Sequence, residues 1–259
     1  MRVLTALVGV PALLAVAWVG GPALLVLLAV LAVLAAEELC RLLRKDRPHR
    51  GLAFVGVLAL LAGAYFLEGD FPGFLPAALL LLYLTAMVLF FPRFNGRSFC
   101  STLVAAGYPA LLAYLYVLRV RPDGWEWVLF TLLATWAFDT LGYFVGLTLG
   151  RVRITPGLSP KKSLEGLIGG LAGAVLVAYV FSLVTGAGPL ALLLVLGFAV
   201  AVGAQVGDLA ASAFKRFADV KDAGRLLPGH GGVLDRFDSL LFSAPLAYFL
   251  INLLGVKMP

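Results

Sequence analysis

The sequence predicts an all-α, polytopic integral membrane protein of about nine transmembrane helices, with a polar site facing the cytoplasm. Of its 259 residues, 62% are hydrophobic and 13% are charged, and the mean hydropathy is +1.01. A soluble domain usually carries about 25% charged residues, so this chain lacks the polar residues needed to cover a surface in water. Apolar segments follow one another with short polar connections, which leaves no stretch from which a separate soluble domain could form.

A membrane span needs about 20 apolar residues to cross about 30 Å of hydrocarbon, and nine segments approach this length. The predicted spans cover residues 2–19, 22–43, 51–67, 72–91, 98–118, 125–149, 164–186, 189–214 and 237–256. The first segment is interpreted as an uncleaved span, because no well-formed cleavage site follows it. Residues 1–120 therefore hold about five spans, and residues 121–259 hold about four.

The distribution of Lys and Arg predicts the orientation. With a cytoplasmic amino terminus and nine crossings, 17 of the 20 basic residues lie on the cytoplasmic side, and only Arg119, Arg121 and Lys257 lie on the other. Cytoplasmic loops are enriched in Lys and Arg, so this orientation is favoured. The net charge of +6 is attributed to these loops and to anionic lipid headgroups. Nucleic-acid binding is not expected, because the basic residues form no single patch.

Two aspartates, Asp139 and Asp208, lie deep within predicted spans. Asp208 belongs to a polar stripe with Gln205, Ser212 and Lys215, whose spacings of three, four and three place them within an arc of about 80° on one helix face. Because a charged group in hydrocarbon costs several kcal/mol, the stripe must face a cavity or another part of the protein. A functional stripe is favoured over the alternative, a set of interhelical hydrogen bonds.

Asp139 shares a helix face with Thr135, Gly142, Tyr143 and Gly146, and helix packing is a stronger competing interpretation there. Four glycines of the seventh predicted span form two interleaved GxxxG patterns, which allow another helix to approach closely: Gly166, Gly169, Gly170 and Gly173.

Two glutamates lie near the cytoplasmic end of the second predicted span. Glu37 can form an ion pair with Arg41, four residues later, so Glu37 and Glu38 are interpreted as structural.

Residues 212–238 form a segment unlike the rest of the chain. It carries five basic residues and four aspartates: Lys215, Arg216, Lys221, Arg225 and Arg236, with Asp219, Asp222, Asp235 and Asp238. The sequence Pro-Gly-His-Gly-Gly at 228–232 predicts a tight turn whose backbone N–H groups can approach an anion, just before a helix start that favours phosphate.

Paired carboxylates follow this turn. Asp235 and Asp238 lie three residues apart on the next helix, and Asp208 on the preceding span can complete the set. Mg²⁺ is typically held by one or two carboxylates together with substrate phosphates. The whole segment predicts polyphosphate chemistry, in which cations hold phosphates and carboxylates hold a metal.

Segment 212–238 resembles the signature of the phosphatidate cytidylyltransferases, or CDP-diacylglycerol synthases, along its full length. The matching residues are Ser212, Phe214, Lys215, Arg216, Lys221, Asp222, Gly224, Leu227, Pro228, His230, Gly231, Gly232, Asp235, Arg236 and Asp238. Two upstream stretches are similar to further family motifs: Ser159 to Ser163 with Glu165 and Gly166, and Asp139, Thr140, Tyr143, Phe144 and Gly146. Gly142 stands where the family usually has Ala, and Leu147 where a basic residue often follows. Arg151 or Arg153 could supply the phosphate contact that a basic residue at position 147 would make.

The resemblance implies that CMP is transferred from CTP to phosphatidate, giving CDP-diacylglycerol and pyrophosphate, in a bacterial-type inner (cell) membrane. It implies that Asp208, Asp235 and Asp238 bind Mg²⁺ and act in catalysis with Lys215 and Arg236. The implied substrate-binding residues are Asp139, Ser159, Lys161, Lys162, Ser212, Arg216, Lys221, Asp222, His230, Gly231 and Gly232. Membrane lipids are expected partners. Whether a second cation binds and whether the chain forms a homodimer stay open.

Two other classes of protein are compatible with buried carboxylates. A secondary transporter would use Asp139 and Asp208 as coupling sites, but the internal repeat typical of transporters is not evident. The second class is another lipid-active enzyme, either a CTP-dependent polyprenol or phytol kinase or a CDP-alcohol phosphatidyltransferase. The phosphatidyltransferase motif is absent, and a kinase would release CDP where the expected enzyme releases pyrophosphate.

Overall fold

The computed structural model describes residues 2–66, 74–224 and 231–256, and these form ten α-helices and no β-strand. The helices are α1 (Arg2–Val19), α2 (Gly21–Leu42), α3 (Arg50–Phe66), α4 (Phe74–Leu89), α5 (Gly96–Ala110), α6 (Ala113–Arg119), α7 (Gly124–Thr148), α8 (Leu164–Thr185), α9 (Leu190–Phe217) and α10 (Leu234–Leu254). The predicted all-α class is confirmed.

Among the residues that the structure describes, six helical segments are long and apolar enough to cross a membrane: Gly21–Leu42, Gly96–Arg119, Gly124–Thr148, Leu164–Thr185, Leu190–Phe217 and Leu234–Leu254. Three shorter apolar helices, Gly9–Val19, Arg50–Phe66 and Leu75–Leu89, coincide with the remaining predicted spans. Each predicted span therefore corresponds to helical structure, and the count of nine crossings stays a prediction.

The fifth predicted span, residues 98–118, is interrupted near Pro109. Proline has no backbone N–H and its ring disturbs the preceding helical turn. Beyond it the chain tightens into i to i−3 hydrogen bonds, in which Leu111 N donates to Tyr108 O at 3.2 Å and Leu112 N to Pro109 O at 3.2 Å. The span is consequently divided into α5 and α6.

The chain divides into two compact units, which comprise Met1–Val117 with Phe214–Arg236, and Leu118–Ala213 with Phe237–Pro259. In the first unit α2, α3 and α5 pack against one another. The ring of Phe214 lies 5.6 Å from that of Tyr108 on α5, between centroids. Residues 214–236, which the sequence places in the C-terminal region, thus belong to the first unit. The predicted division into regions 1–120 and 121–259 stays a prediction.

In the second unit, α7 and α8 pack closely through glycine. A Cβ atom at Gly170 would lie 2.7 Å from the ring of Phe138, and one at Gly142 would lie 3.3 Å from Gly166 O. The prediction that these glycines serve helix packing is confirmed. An alanine at Gly142, which the resembling family usually has, would require Gly166 O to shift by a few tenths of an ångström.

Helix α9 extends beyond its predicted end. It has 28 residues, so at 1.5 Å per residue it is about 42 Å long, more than the roughly 30 Å of bilayer hydrocarbon. Its last turn contains Lys215 and Arg216, which the sequence placed just outside the span. The extra turn gives both cations a helical position.

Candidate active site

The basic segment 150–162 of the second unit is a compact loop closed by backbone hydrogen bonds. Leu164 N donates to Val152 O at 2.8 Å, and Ile154 N donates to Lys162 O at 3.2 Å. The guanidinium of Arg153 donates to Lys161 O at 2.7 Å. Arg153, considered from the sequence as a phosphate ligand, therefore braces the loop, and the loop sets the backbone position of Lys162.

Two side chains connect this loop to the start of α8. Ser163 is the N-cap, and its Oγ accepts from Gly166 N at 3.1 Å. The carboxylate of Glu165 accepts from Arg151 N at 3.0 Å and from Val152 N at 3.2 Å. Within the Ser-Pro-Lys-Lys-Ser stretch, these contacts hold the backbone and leave the Lys161 side chain exposed.

The side chain of Lys162 forms an ion pair with Asp208 of α9, with Nζ 2.7 Å from Oδ2. The other oxygen of Asp208 has a weaker contact, 3.4 Å from Ser212 Oγ. This contact agrees with the prediction that Asp208 and Ser212 share a helix face. Asp208 therefore keeps lone pairs on Oδ1 that a cation could use.

Asp139 of α7 lies beside this pair and interacts electrostatically with both Asp208 and Lys162. Its Oδ1 accepts from Ser239 Oγ of α10 at 3.2 Å. One turn earlier, Thr135 Oγ1 lies 2.9 Å from Ser243 Oγ. The polar face of α7 thus provides interhelical hydrogen bonds, and its Asp139 also belongs to a charged cluster.

Asp238, on α10, is buried and its Oδ1 accepts from Ser239 N at 2.8 Å. Helices α9 and α10 touch at this level, because a Cβ atom at Gly207 would lie 3.1 Å from the backbone carbonyl carbon of Asp238. Gly207 thereby brings Asp208 next to the helix that carries Asp238. The second unit holds the predicted residues Asp139, Ser159, Lys161, Lys162, Asp208, Ser212 and Asp238.

In the first unit, Lys215 and Asp235 form a second ion pair, with Nζ 2.7 Å from Oδ1 and side chains 14% and 9% exposed. The other carboxylate oxygen of Asp235 accepts from Ala223 N at 2.8 Å and from Gly232 N at 2.9 Å. Asp235 thus joins the two ends of the segment between residues 223 and 232. Both of its oxygens are engaged by the chain itself.

Glu38 is a residue of this site that sequence reasoning missed. Its carboxylate accepts from Val233 N at 3.0 Å and from Leu234 N at 2.8 Å. The helix start expected to favour phosphate therefore already faces an anion from the chain itself. A signal was present in the sequence: Glu37 has a basic residue four positions later, whereas Glu38 has none.

The remaining predicted residues of the first unit are more exposed. Arg216, Lys221, Asp222 and Arg236 have exposed surfaces, and an Arg216 guanidinium nitrogen lies 3.4 Å from Val220 O. Gly231 has φ of 82°, a backbone conformation that glycine adopts without strain. His230, with Arg225, Leu227, Pro228 and Gly229, lies outside the described residues. The substrate-binding roles of all these positions stay predictions.

The neighbouring glutamate behaves as predicted. Glu37 Oε1 lies 2.9 Å from Arg41 Nε, and it is also 3.3 Å from a guanidinium nitrogen of Arg50. The predicted ion pair between Glu37 and Arg41 is therefore confirmed.

The donor chemistry for a divalent cation differs between the two units. In neither unit do the described residues contain a cluster of three His, Cys, Asp or Glu side chains arranged around a metal position. Mg²⁺ needs only one or two carboxylates when phosphates and water supply the rest. Asp208, which keeps lone pairs on Oδ1, fits this requirement, and Asp238 lies on the adjoining helix, whereas both oxygens of Asp235 already accept from Lys215 or from backbone amides.

The whole chain is similar to known proteins. The model of a family described as the cytidylyltransferase family matches residues 1–254. A phosphatidate cytidylyltransferase of Thermotoga maritima is 37% identical, over 98% of this chain and 96% of its own length. One from Staphylococcus saprophyticus is 33% identical over 97% and 98% of the two chains, and one from Bacillus subtilis is 40% identical over 68% and 66%.

Proposed function

The chain belongs to the cytidylyltransferase family, and we propose that it transfers CMP from CTP to phosphatidate, giving CDP-diacylglycerol and pyrophosphate. The observation that carries this proposal is similarity over nearly the full length to phosphatidate cytidylyltransferases. The geometry supports it, because each unit holds a Lys–Asp ion pair whose lysine belongs to a stretch that resembles a family motif. Such cations suit a reaction whose substrates and products are all phosphates.

The chemistry needs little from the protein beyond position and charge. A phosphate oxygen of phosphatidate attacks the α-phosphorus of CTP, and the bond from that phosphorus to the oxygen bridging to the β-phosphorus breaks. Pyrophosphate leaves with the electron pair of that bond. The attacking phosphate is already an anion, so no strong general base is required, and catalysis rests on alignment and on neutralising charge.

In the second unit, Lys162 is the cation that would meet substrate phosphate. Its Nζ is buried and lies 2.7 Å from Asp208 Oδ2, and it donates no hydrogen bond to any other described group. An ammonium group has three donors, so a phosphate oxygen can join without displacing Asp208. Lys161 and Ser159, on the same braced loop, would contact the phosphates from its exposed side.

In the first unit, Lys215 would hold a second phosphate, with Arg236 and Arg216 as exposed cations for the leaving pyrophosphate. Lys215 is held at the last turn of α9 by Asp235, which is itself fixed by two backbone amides. A lysine held in this way loses little freedom on binding, which favours charge stabilisation by a preorganised group.

Mg²⁺ is the proposed cofactor, with Asp208 and Asp238 as its proposed ligands in the second unit and Asp235 as the third residue that the resemblance implies. When bound, the ion would neutralise charge on the triphosphate.

The orientation is also a proposal. The basic loops favour a cytoplasmic amino terminus, nine crossings and an active site on the cytoplasmic face of a bacterial inner membrane, where CTP is available. The acyl chains of phosphatidate would remain in the lipid.

The test uses purified protein in detergent micelles containing phosphatidate, Mg²⁺ and CTP labelled at either the α- or the γ-phosphate. We expect α-label in an organic-soluble lipid and γ-label in pyrophosphate. A lipid kinase would instead place γ-label in the lipid and leave α-label in CDP, and that result would contradict the proposal. Omitting phosphatidate is the control for simple CTP hydrolysis.

A further inference from the structure

Glu38 lies near the end of α2 and is 4% exposed. Its two carboxylate oxygens accept from consecutive backbone amides 195 and 196 residues away, Val233 N and Leu234 N. A buried carboxylate is costly unless it is fully hydrogen-bonded, and the positive end of a helix favours an anion. Glu38 is therefore held by the start of α10 and in turn fixes that start.

Two glycines of the signature segment leave the space that Glu38 occupies. A Cβ atom at Gly232 would lie 2.6 Å from Glu38 Cδ, and one at Gly224 would lie 2.8 Å from the same atom. Real Cβ atoms do not approach other heavy atoms this closely. Gly224 and Gly232 thus form the two sides of a slot that receives one carboxylate.

Asp235 closes the same segment from the other side. Its Oδ2 joins Ala223 N and Gly232 N, while Glu38 takes the next two amides, those of Val233 and Leu234. Three consecutive amides are thus bound by two carboxylates, of which only Asp235 belongs to the segment itself. The Oδ1 atom that remains on Asp235 holds Lys215.

We propose that Glu38 is a positioning residue of the reaction, which sets the Lys215–Asp235 pair by fixing the backbone on which Asp235 stands. This inference rests on the proposed function. Glu38 contacts no substrate in this role, and it acts through the amides of residues 233 and 234. Its carboxylate also occupies the Val233 and Leu234 amides at the start of α10, so these two amides are not available to a substrate phosphate.

The experiment compares Glu38→Gln and Glu38→Ala with the wild-type protein in the α-labelled CTP assay, per mole of monodisperse protein. We expect kcat/KM to fall at least about tenfold for Glu38→Ala, as for the loss of a charged acceptor that serves two donors. Glu38→Gln keeps one acceptor oxygen, so its kcat/KM should lie between those of Glu38→Ala and the wild type. The matched control is Glu37→Gln, on the adjacent residue with an exposed ion-pair partner, which should retain wild-type kcat/KM.

A double variant tests whether Glu38 acts through its contact with the segment at Gly232. Gly232→Ala should lower kcat/KM because its Cβ atom overlaps Glu38, and the Glu38→Ala/Gly232→Ala double variant should be no worse than Glu38→Ala alone. Non-additivity of this kind reports direct contact.

The inference is overturned if the kcat/KM of Glu38→Gln matches the wild type, or if even Glu38→Gln yields no monodisperse protein. It is also overturned if the fold-losses from Glu38→Ala and Gly232→Ala multiply in the double variant. A wild-type protein that fails to transfer label would instead contradict the proposed function, so the two failures are distinguishable.

Discussion

Lys215 Nζ lies 2.7 Å from Asp235 Oδ1, and both side chains are largely buried. A second ion pair in the same unit, between Lys45 and Asp219, has a similar separation of 3.1 Å with side chains 57% and 83% exposed. Exposed pairs contribute about 0–1 kcal/mol, whereas removing one partner of a buried pair leaves an uncompensated charge. Burial therefore distinguishes the pair expected to matter for function from the one that is incidental.

Asp235→Asn should abolish most activity and leave a folded protein. Asparagine retains an oxygen that can accept from Ala223 N and Gly232 N, so these two backbone contacts remain while Lys215 loses its charged partner. We expect the rate of CMP transfer to fall by at least about 100-fold, the effect typical of losing one preorganised charge-stabilising group. Label transfer and size-exclusion profiles measure the two quantities.

Asp219→Asn is the matched control for that variant, since it breaks the exposed pair with Lys45. It should leave the rate unchanged. Wild-type output of CDP-diacylglycerol from Asp235→Asn would show that its charge has no part in the reaction.

Lys162→Met should weaken CTP or phosphatidate binding, because it removes the buried cation beside Asp208 and retains the aliphatic bulk. The expected rise in KM is about tenfold or more, which corresponds to one charged hydrogen bond. Lys45→Met removes an exposed lysine of the first unit and serves as the control. An unchanged KM for both substrates would exclude Lys162 from phosphate binding.

Asp139→Asn and Ser239→Ala distinguish a functional carboxylate from an interhelical hydrogen bond. Each removes or weakens the 3.2 Å contact between Asp139 Oδ1 and Ser239 Oγ, and interhelical hydrogen bonds in membranes contribute about 0.6 kcal/mol on average. We expect similar small losses of thermal stability from both variants and a loss of kcat from Asp139→Asn alone. Equal activity in the two variants would favour the packing interpretation.

Gly170→Ala should destabilise the second unit, because its Cβ atom would lie 2.7 Å from the Phe138 ring and 2.8 Å from Phe138 O. Overpacking of this kind costs about 1–3 kcal/mol. Gly107→Ala in α5 meets nothing within 4 Å and should be neutral or stabilising by up to about 1 kcal/mol. Thermal unfolding in detergent compares the two, and equal melting temperatures would contradict the close packing of α7 on α8.

The helices were largely predictable because their signal is local. Runs of apolar residues located helical structure for each of the nine spans, and the GxxxG glycines of α8 identified a close helix contact before its partner was known. The division of the fifth span at Pro109 and the end of α9 at Phe217 were not predicted. Both depend on how the chain hydrogen-bonds beyond the apolar run, which hydropathy does not report.

The site divides in the same way. By itself, the sequence determined the membrane class, the charged residues that cannot be left in lipid, and the family motif of residues 212–238, since each follows from composition or from spacing along the chain. Only the tertiary structure decided that Lys162 pairs with Asp208, and that Glu38 accepts hydrogen bonds from backbone amides 195 and 196 residues away. These partners are far apart in sequence, and hydrogen bonding is set by distances in space that no local pattern of residues encodes.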